Sequence, residues 1–306
     1  MTSEKFSGKI NLSKKPASTT ELDDLMDAYL AYGFRRPPEL TQSSFMAGVG
    51  GAFLTTEMPP TEMIPDLSPQ SRNYFKNEVR PTLARQAEAG DTKALEVARK
   101  AGAFVSAYYL KHPEGIDGIK EFGIEDGVMN IDGITQPYSI ETGWVVDYGI
   151  GLTGLINHIK GVRSERYGVI GLVKTQGEQA ALRGLALHRG MSPDDMQIFA
   201  GGISSNVSGM LKNGSEGAAD MVIASRVHMA GSELVSGVAM APDLLRQEGL
   251  LVARGPRRYS AGADYDTLLR GVKNDRRMTV IADRTTARRT KHGTREDNRS
   301  FVARKK

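Results

Sequence analysis

The dipeptide Asp132-Gly133 is the strongest local constraint on how this chain can fold. It stands between two short β-prone runs in the stretch from Val128 to Ile140. A two-residue type I′ hairpin turn needs positive φ at both central residues, and Asp-Gly supplies it at low steric cost. Upstream lies the clearest amphipathic helix. Asp91 caps it, Ala94, Leu95, Ala98, Ala101, Val105 and Tyr108 fall near one face, and His112-Pro113 ends it. Downstream, the apolar segment from Trp144 to Ile159 completes a helix–hairpin–helix unit over Asp91 to Lys160.

The flanks read as more helix. Residues 1–18 are polar and form an arm, and Ser18 to Glu21 fits a capping box before Leu22, Leu25, Met26, Tyr29 and Leu30. Residues 37–69 hold Pro37, Pro38, Pro59, Pro60, Pro65 and Pro69, which predicts an extended connector with Met58, Met63 and Ile64 as anchors on another molecule. Ser68-Pro69 starts a helix that runs to Gly90 with a kink at Pro81. Further helices are expected from Thr175 to Arg189, from Ser192, from Ser215 (with Met221, Val222 and Ile223) and from Ala241 to Gly249. The fold class expected is mainly α: a two-lobed helical core with one small β-hairpin, an extended N-terminal arm and a basic C-terminal tail. The divisions are an arm, short helix and connector over 1–67, a helical core over 68–253, and a basic segment over 254–306.

Composition closes several functional routes. The 306 residues include no cysteine, which excludes a disulfide framework, a thiolate metal site and a cysteine nucleophile. The start lacks the apolar run of a signal peptide, and no stretch approaches a membrane span. His112, His158, His188, His228 and His292 are scattered, without the paired spacing of a zinc site. Asp194-Asp195 and Glu125-Asp126 read as caps and turns. No catalytic residue, metal or cofactor is expected. Gly149-Ile-Gly151-Leu-Thr-Gly154 matches the dinucleotide fingerprint in spacing, follows β-prone residues and precedes a helix-like run. No Asp or Glu follows about 20 residues on at a strand end, and among 34 glycines the match can arise by chance. A soluble nucleotide-binding enzyme using Gly149–Gly154 is therefore the alternative, with an icosahedral phage capsid protein as a further one.

Charge favours a polyanion partner. Residues 254–306 carry 16 Lys and Arg against 6 Asp and Glu, while the whole chain nets only +4. Such a tail is either a solvated terminus or a nucleic-acid contact. Lys160, Arg163, Arg166, Arg183, Arg189 and Arg226 are the RNA-binding candidates in the body, with Tyr167 and Phe199 able to stack on bases.

The segments Ala101 to Pro113, Gly127 to Ile140 and Gly217 to Gly231 resemble, in that order, the core of coat proteins of flexible filamentous plant viruses of the potyvirus type. The resemblance covers about a quarter of the chain. It implies a helical fold, an N-terminal arm on the next subunit, a C-terminal segment toward the filament's lumen and single-stranded RNA wound in a groove. The family's RNA pocket uses a serine, an arginine and an aspartate. Pro113-Glu114, Asn157 or His158, and Gly202 stand at those places here, so no pocket residue carries over, and Lys160, Arg163 and Arg166 would have to replace the arginine. Nucleoproteins of negative-strand viruses fit the same two-lobed plan. The function expected is a structural coat or nucleocapsid protein, not an enzyme. It would polymerise through its arm into a helical homo-oligomer and package viral RNA without sequence preference, in the virion and, during assembly, the host cytoplasm.

Overall fold

The computed structural model describes residues 27, 32, 34–36, 38–54, 68–111, 122–125, 128–165, 167–225, 227, 231–257, 264–289 and 295–306. The arm, nearly all of the helix expected from Ser18 to Gly33, and Met58, Met63 and Ile64 lie outside them.

Within the expected connector stands a helix, α1 (Gln42–Leu54), whose Phe45, Val49 and Phe53 are buried. Ser68 caps the next helical run, accepting from Ser71 N–H, with Pro69 in its first turn. That run comprises α2 (Pro69–Tyr74), a π turn (Phe75–Val79) and α3 (Arg80–Glu88). The π turn ends two residues before Pro81, whose missing N–H breaks the regular ladder. The helix α4 (Thr92–Lys111) starts where Asp91 accepts from the N–H groups of Lys93 and Ala94, as its sequence predicts.

The hairpin forms at Asp132-Gly133, with φ of 48° and 78°. It joins β2 (Val128–Ile131) to β3 (Ile134–Pro137), and β1 (Phe122–Glu125) extends the pair to a three-stranded meander. Asp132 Oδ2 accepts from Arg254 Nε at 2.8 Å and from the Ser300 hydroxyl, while Arg284 donates to its carbonyl at 3.1 Å.

Beyond the meander the expected helical core is overturned. β4 (Trp144–Tyr148), β5 (Gly168–Val173), β6 (Met196–Ala200), β7 (Ala219–Ser225), β8 (Leu245–Pro256), β9 (Met278–Arg289) and β10 (Arg295–Lys305) form one sheet, in the order β6-β5-β4-β7-β8-β10-β9. β4 to β8 run parallel, and β10 is antiparallel to β8 and β9. Between the strands run α5 (Gly151–Glu165), α6 (Gln176–His188), α7 (Ile203–Lys212), α8 (Gly231–Leu244) and α9 (Tyr265–Asn274). The fold is α/β, not mainly α.

Burial on both faces explains the misreading. Six of the seven residues of β7 are buried. Met221 and Ile223 join one core and Val222 and Ala224 the other, so the strand reads as an unbroken apolar run. Periodicity cannot tell such a run from a buried helix. The expected helices from Ser192 and Ser215 are in fact β6 and β7, and the short helix from Ala241 is the end of α8 followed by β8. One core packs α1 to α6 and the meander on one face, and the other packs α7, α8 and α9 on the opposite face. The basic C-terminal tail is also corrected: its residues build the end of β8, α9, β9 and β10, with Phe301, Val302 and Ala303 fully buried.

Asp220 locks the amino end of this sheet. Its two oxygens accept from the backbone N–H of Glu141, Thr142, Gly143 and Trp144, from the Thr142 hydroxyl, and from Arg246 Nε at 2.6 Å. The start of β4 is thereby fixed to β7 and β8.

Candidate functional site

β4 is the strand from which the sheet grows both ways, through β5 to β6 on one side and through β7 to β8 on the other. At such a switch point the connections leave in opposite directions and open a crevice at the carboxyl ends of the strands. The turn that leaves β4 there is Gly149 to Gly154. Gly149 and Gly151 hold φ of 79° and 49°, a region that side chains with a Cβ rarely enter. Gly149 N–H donates to the Leu172 carbonyl at 2.8 Å, which bends the chain across β5. A Cβ on Gly149 would lie 3.1 Å from Val227 Cγ1, and one on Gly154 would lie 3.1 Å from Asp147 Oδ2. Each of the three glycines therefore has a role: Gly149 and Gly151 permit the turn, and Gly149 and Gly154 let the backbone approach a neighbour.

Beneath the turn sits Asp147, near the end of β4 and 3% exposed. Its Oδ2 meets His158 Nε2 at 2.9 Å, and His158 Nδ1 lies 3.3 Å from the Tyr167 hydroxyl. Asp147 Oδ1 is buried and has no hydrogen-bond partner among the described residues. A buried acceptor left open costs free energy of about 1–3 kcal/mol, so it marks a place where a donor belongs. Tyr148, next in the strand, donates to the Gly237 carbonyl at 3.1 Å, and complete burial pushes its phenol pKa up.

The neighbouring strand ends complete the rim. After β5, Thr175 and Glu178 form a reciprocal capping box on α6. Burial raises the pKa of Glu178 against the hydrogen bonds from Thr175 and Lys174. After β6, Glu233 closes the first turn of α7, accepting from Ser204 N–H at 2.9 Å and Oγ–H at 2.6 Å. These bonds hold its pKa below the usual value. After β7, Val227 N–H donates to Tyr265 Oη at 3.1 Å.

Of the residues expected to bind RNA, only Arg183 and Arg189 have described side chains. Lys160 and Arg163 are on α5, with side chains outside the description, and Arg166 and Arg226 lie outside the described residues. Arg183, on α6, donates to the Ile198 carbonyl at 2.7 Å and so covers the edge strand β6, and Arg189 forms the end of α6. Tyr167 is 1% exposed against His158 and is closed to a stacking base. Asp147 was missed because its partner stands on the next helix, and only the strand–turn–helix geometry joins them. The fingerprint spacing was visible, and the structure adds the parallel strand before it and the helix after it.

Strand order, turn and buried acid define a doubly wound α/β protein with a glycine turn at its switch point. No family model matches the sequence, and no curated protein does. Among solved structures it is similar to the cyclase SpnF, at 14% identity and a TM-score of 0.43 over 53% of this chain and 74% of that one. It is also similar to a SAM-dependent methyltransferase from Methanosarcina mazei, at 13% identity and a TM-score of 0.41 over 55% of this chain and 94% of that one. These are likenesses of outline. The expectations of a potyvirus-type coat protein, of a non-enzymatic capsid or nucleoprotein, and of RNA and a homopolymer as partners rested on a mainly helical core with a free basic tail, and are corrected by an α/β sheet into which the basic C-terminal residues are built as strands.

Proposed function

We propose that the chain is an enzyme that holds a nucleoside-bearing cofactor at Gly149–Gly154, with S-adenosylmethionine (SAM) as the cofactor and methyl transfer as the reaction. The observation that carries the reading is the glycine turn between β4 and α5 at the switch point, set above the buried carboxyl of Asp147. A helix start behind a glycine turn also suits a pyrophosphate. The local charge argues otherwise. The turn contains no Lys or Arg, and the group directly below it is a carboxyl. A carboxylate repels phosphate and attracts a cation, and burial strengthens both effects.

The residues present fit SAM. Gly149 and Gly151 give room for close backbone approach, and the Asp147 carboxyl, closed to solvent beneath the turn, favours positive charge there. The chemistry SAM supplies when bound is a methyl group on a positively charged sulfur. The chain's own part is to bind and orient: Asp147 attracts the positive end, His158 holds the Asp147 carboxyl in place, and Val227 and Tyr148 form an apolar floor that excludes water.

The test is equilibrium binding of SAM, NAD and ATP to the full chain. SAM is expected to bind and the other two not. Asp147→Asn and Gly151→Val are each expected to weaken SAM about tenfold or more, the loss of one charged contact or of the turn. Binding of NAD or ATP in preference to SAM, or no binding of any of the three, overturns the reading.

A further inference from the structure

A cavity opens between α9, the end of β8 and β10, lined by Arg257, Asp264, Asp266, Leu269, Arg270, Lys273 and Arg299. Arg257 follows β8 and α9 begins at Tyr265, so this cavity lies toward the same carboxyl edge as the glycine turn. A short path connects the two. Gly149 packs on Val227, Val227 N–H donates to the Tyr265 hydroxyl, and Tyr265 is the first residue of α9.

The lining sets four cations against two carboxylates. Asp264 is committed to capping α9 through Thr267 N–H. Asp266 accepts from Arg257 Nε at 3.0 Å and from Arg299 Nε at 2.9 Å. Arg299 also donates to Asp283 at 2.9 Å and Thr285 at 2.9 Å, and Lys273 reaches Asp283 at 3.5 Å. These bonds hold two guanidiniums side by side at the wall. Burial opposes the ionised form of Asp266, but the hydrogen bonds and charges of Arg299 and Arg257 outweigh it and lower its pKa. Arg270 donates to the Thr267 hydroxyl at 2.9 Å, and no ion pair is described for it. Arg270 and Lys273 are three apart on α9 and share a face. The cations thus come from the end of β8, β10 and α9, three separate elements around one opening. An anion with several acceptor oxygens, as a phosphate has, can meet more than one of them.

We propose that this cavity binds a phosphate group carried by the substrate. The inference deepens the reading of the glycine turn by naming the substrate's charged group. β8 and β10 lie two and three strands from β4, or roughly 10–15 Å at about 4.8 Å per strand. The substrate therefore carries its phosphate about that far from the atom that reacts, which suits a phosphorylated molecule larger than a single small ring.

The experiment titrates inorganic phosphate, and separately acetate, into the full chain without SAM, followed by calorimetry. Its failure is thus distinct from a failure to bind SAM. Phosphate is expected to bind saturably and acetate not. The double variant Arg270→Gln/Lys273→Gln, which leaves the Arg257–Asp266–Arg299 network in place, is expected to weaken phosphate about tenfold without lowering the melting temperature. Arg276→Gln, an exposed cation outside the lining, is expected to leave binding unchanged. No saturable phosphate binding, acetate binding as tight as phosphate, or an equal loss in Arg276→Gln overturns the proposal.

Discussion

His158 Nε2 lies 2.9 Å from Asp147 Oδ2, with both side chains closed off from solvent. The contact ties α5 back to the strand it follows, so the glycine turn between them is clamped at both ends. Removing one member of a buried, hydrogen-bonded acid–base pair leaves the other without compensation, at a cost of about 3–5 kcal/mol. His158→Ala is expected to lose stability on that scale in urea denaturation. Asp147→Ala/His158→Ala is expected to recover part of the loss, because no buried carboxyl then remains. Equal midpoints for His158→Ala and the unaltered chain would show that the pair is not desolvated.

Local chemistry was legible where a short motif decides it. Asp91 as cap, Ser68-Pro69 as a helix start, the helix from Thr175, and the Asp132-Gly133 turn all stand in the structure where their residues place them. The sheet was not legible, because its strands are buried on both sides and lose the alternation that marks a strand. Val169, Leu172 and Val173 of β5, or Leu250 to Ala253 of β8, look like pieces of buried helix. The glycine fingerprint was visible but lacked meaning until β4 was a parallel strand with neighbours on both sides. Counting charges misled for a physical reason: many C-terminal cations are consumed within the fold, as Arg254 is by Asp132 and Arg299 by Asp266 and Asp283.

Asp220 predicts how stability falls in acid. Burial alone raises its pKa, but the N–H groups of Glu141 and Thr142, the Arg246 guanidinium and the Thr142 hydroxyl together hold it below the ordinary 3.8. A carboxyl depressed on folding stabilises the protein above its unfolded pKa, and that stabilisation is lost as pH falls through the lower folded value. The loss is thus expected at about pH 4 and below. Asp220→Asn is expected to lower stability at pH 7 by about 3 kcal/mol and to flatten the acid limb of the stability curve. Parallel acid limbs for the two proteins would assign the pH dependence to other groups.

Asp132 serves the turn and the sheet together. Its backbone takes the left-handed conformation, and its side chain meets Arg254, whose side chain is 5% exposed. Asp132→Asn keeps the turn, since asparagine tolerates that conformation, but removes the charge opposite Arg254. A loss of about 3 kcal/mol is expected, against a few tenths if the residue acted through the turn alone. Thermal unfolding of Asp132→Asn beside Asp132→Gly separates the two contributions: the glycine variant keeps the backbone and loses every side-chain contact.

A helix contact lined by two glycines gives the last test. α4 crosses α6 so tightly that a Cβ on Gly102 would stand 1.8 Å from the Ala181 carbonyl oxygen, and one on Gly184 would stand 1.9 Å from that of Arg99. Backbone faces each glycine, so neither clash can be relieved by rotating a side chain. The helices must separate, and Ala98, Ala101, Leu182 and Leu185, all buried there, lose contacts with them. Overpacking of this kind costs about 1–3 kcal/mol or more. Helix propensity pulls the other way, since alanine is favoured over glycine by about 1 kcal/mol within a helix. Gly102→Ala and Gly184→Ala are expected to destabilise in spite of that gain, whereas Gly209→Ala on α7, where a Cβ meets nothing within 4 Å, is expected to stabilise. Denaturant midpoints that rise for all three would mean that α4 and α6 lie farther apart than their glycines require.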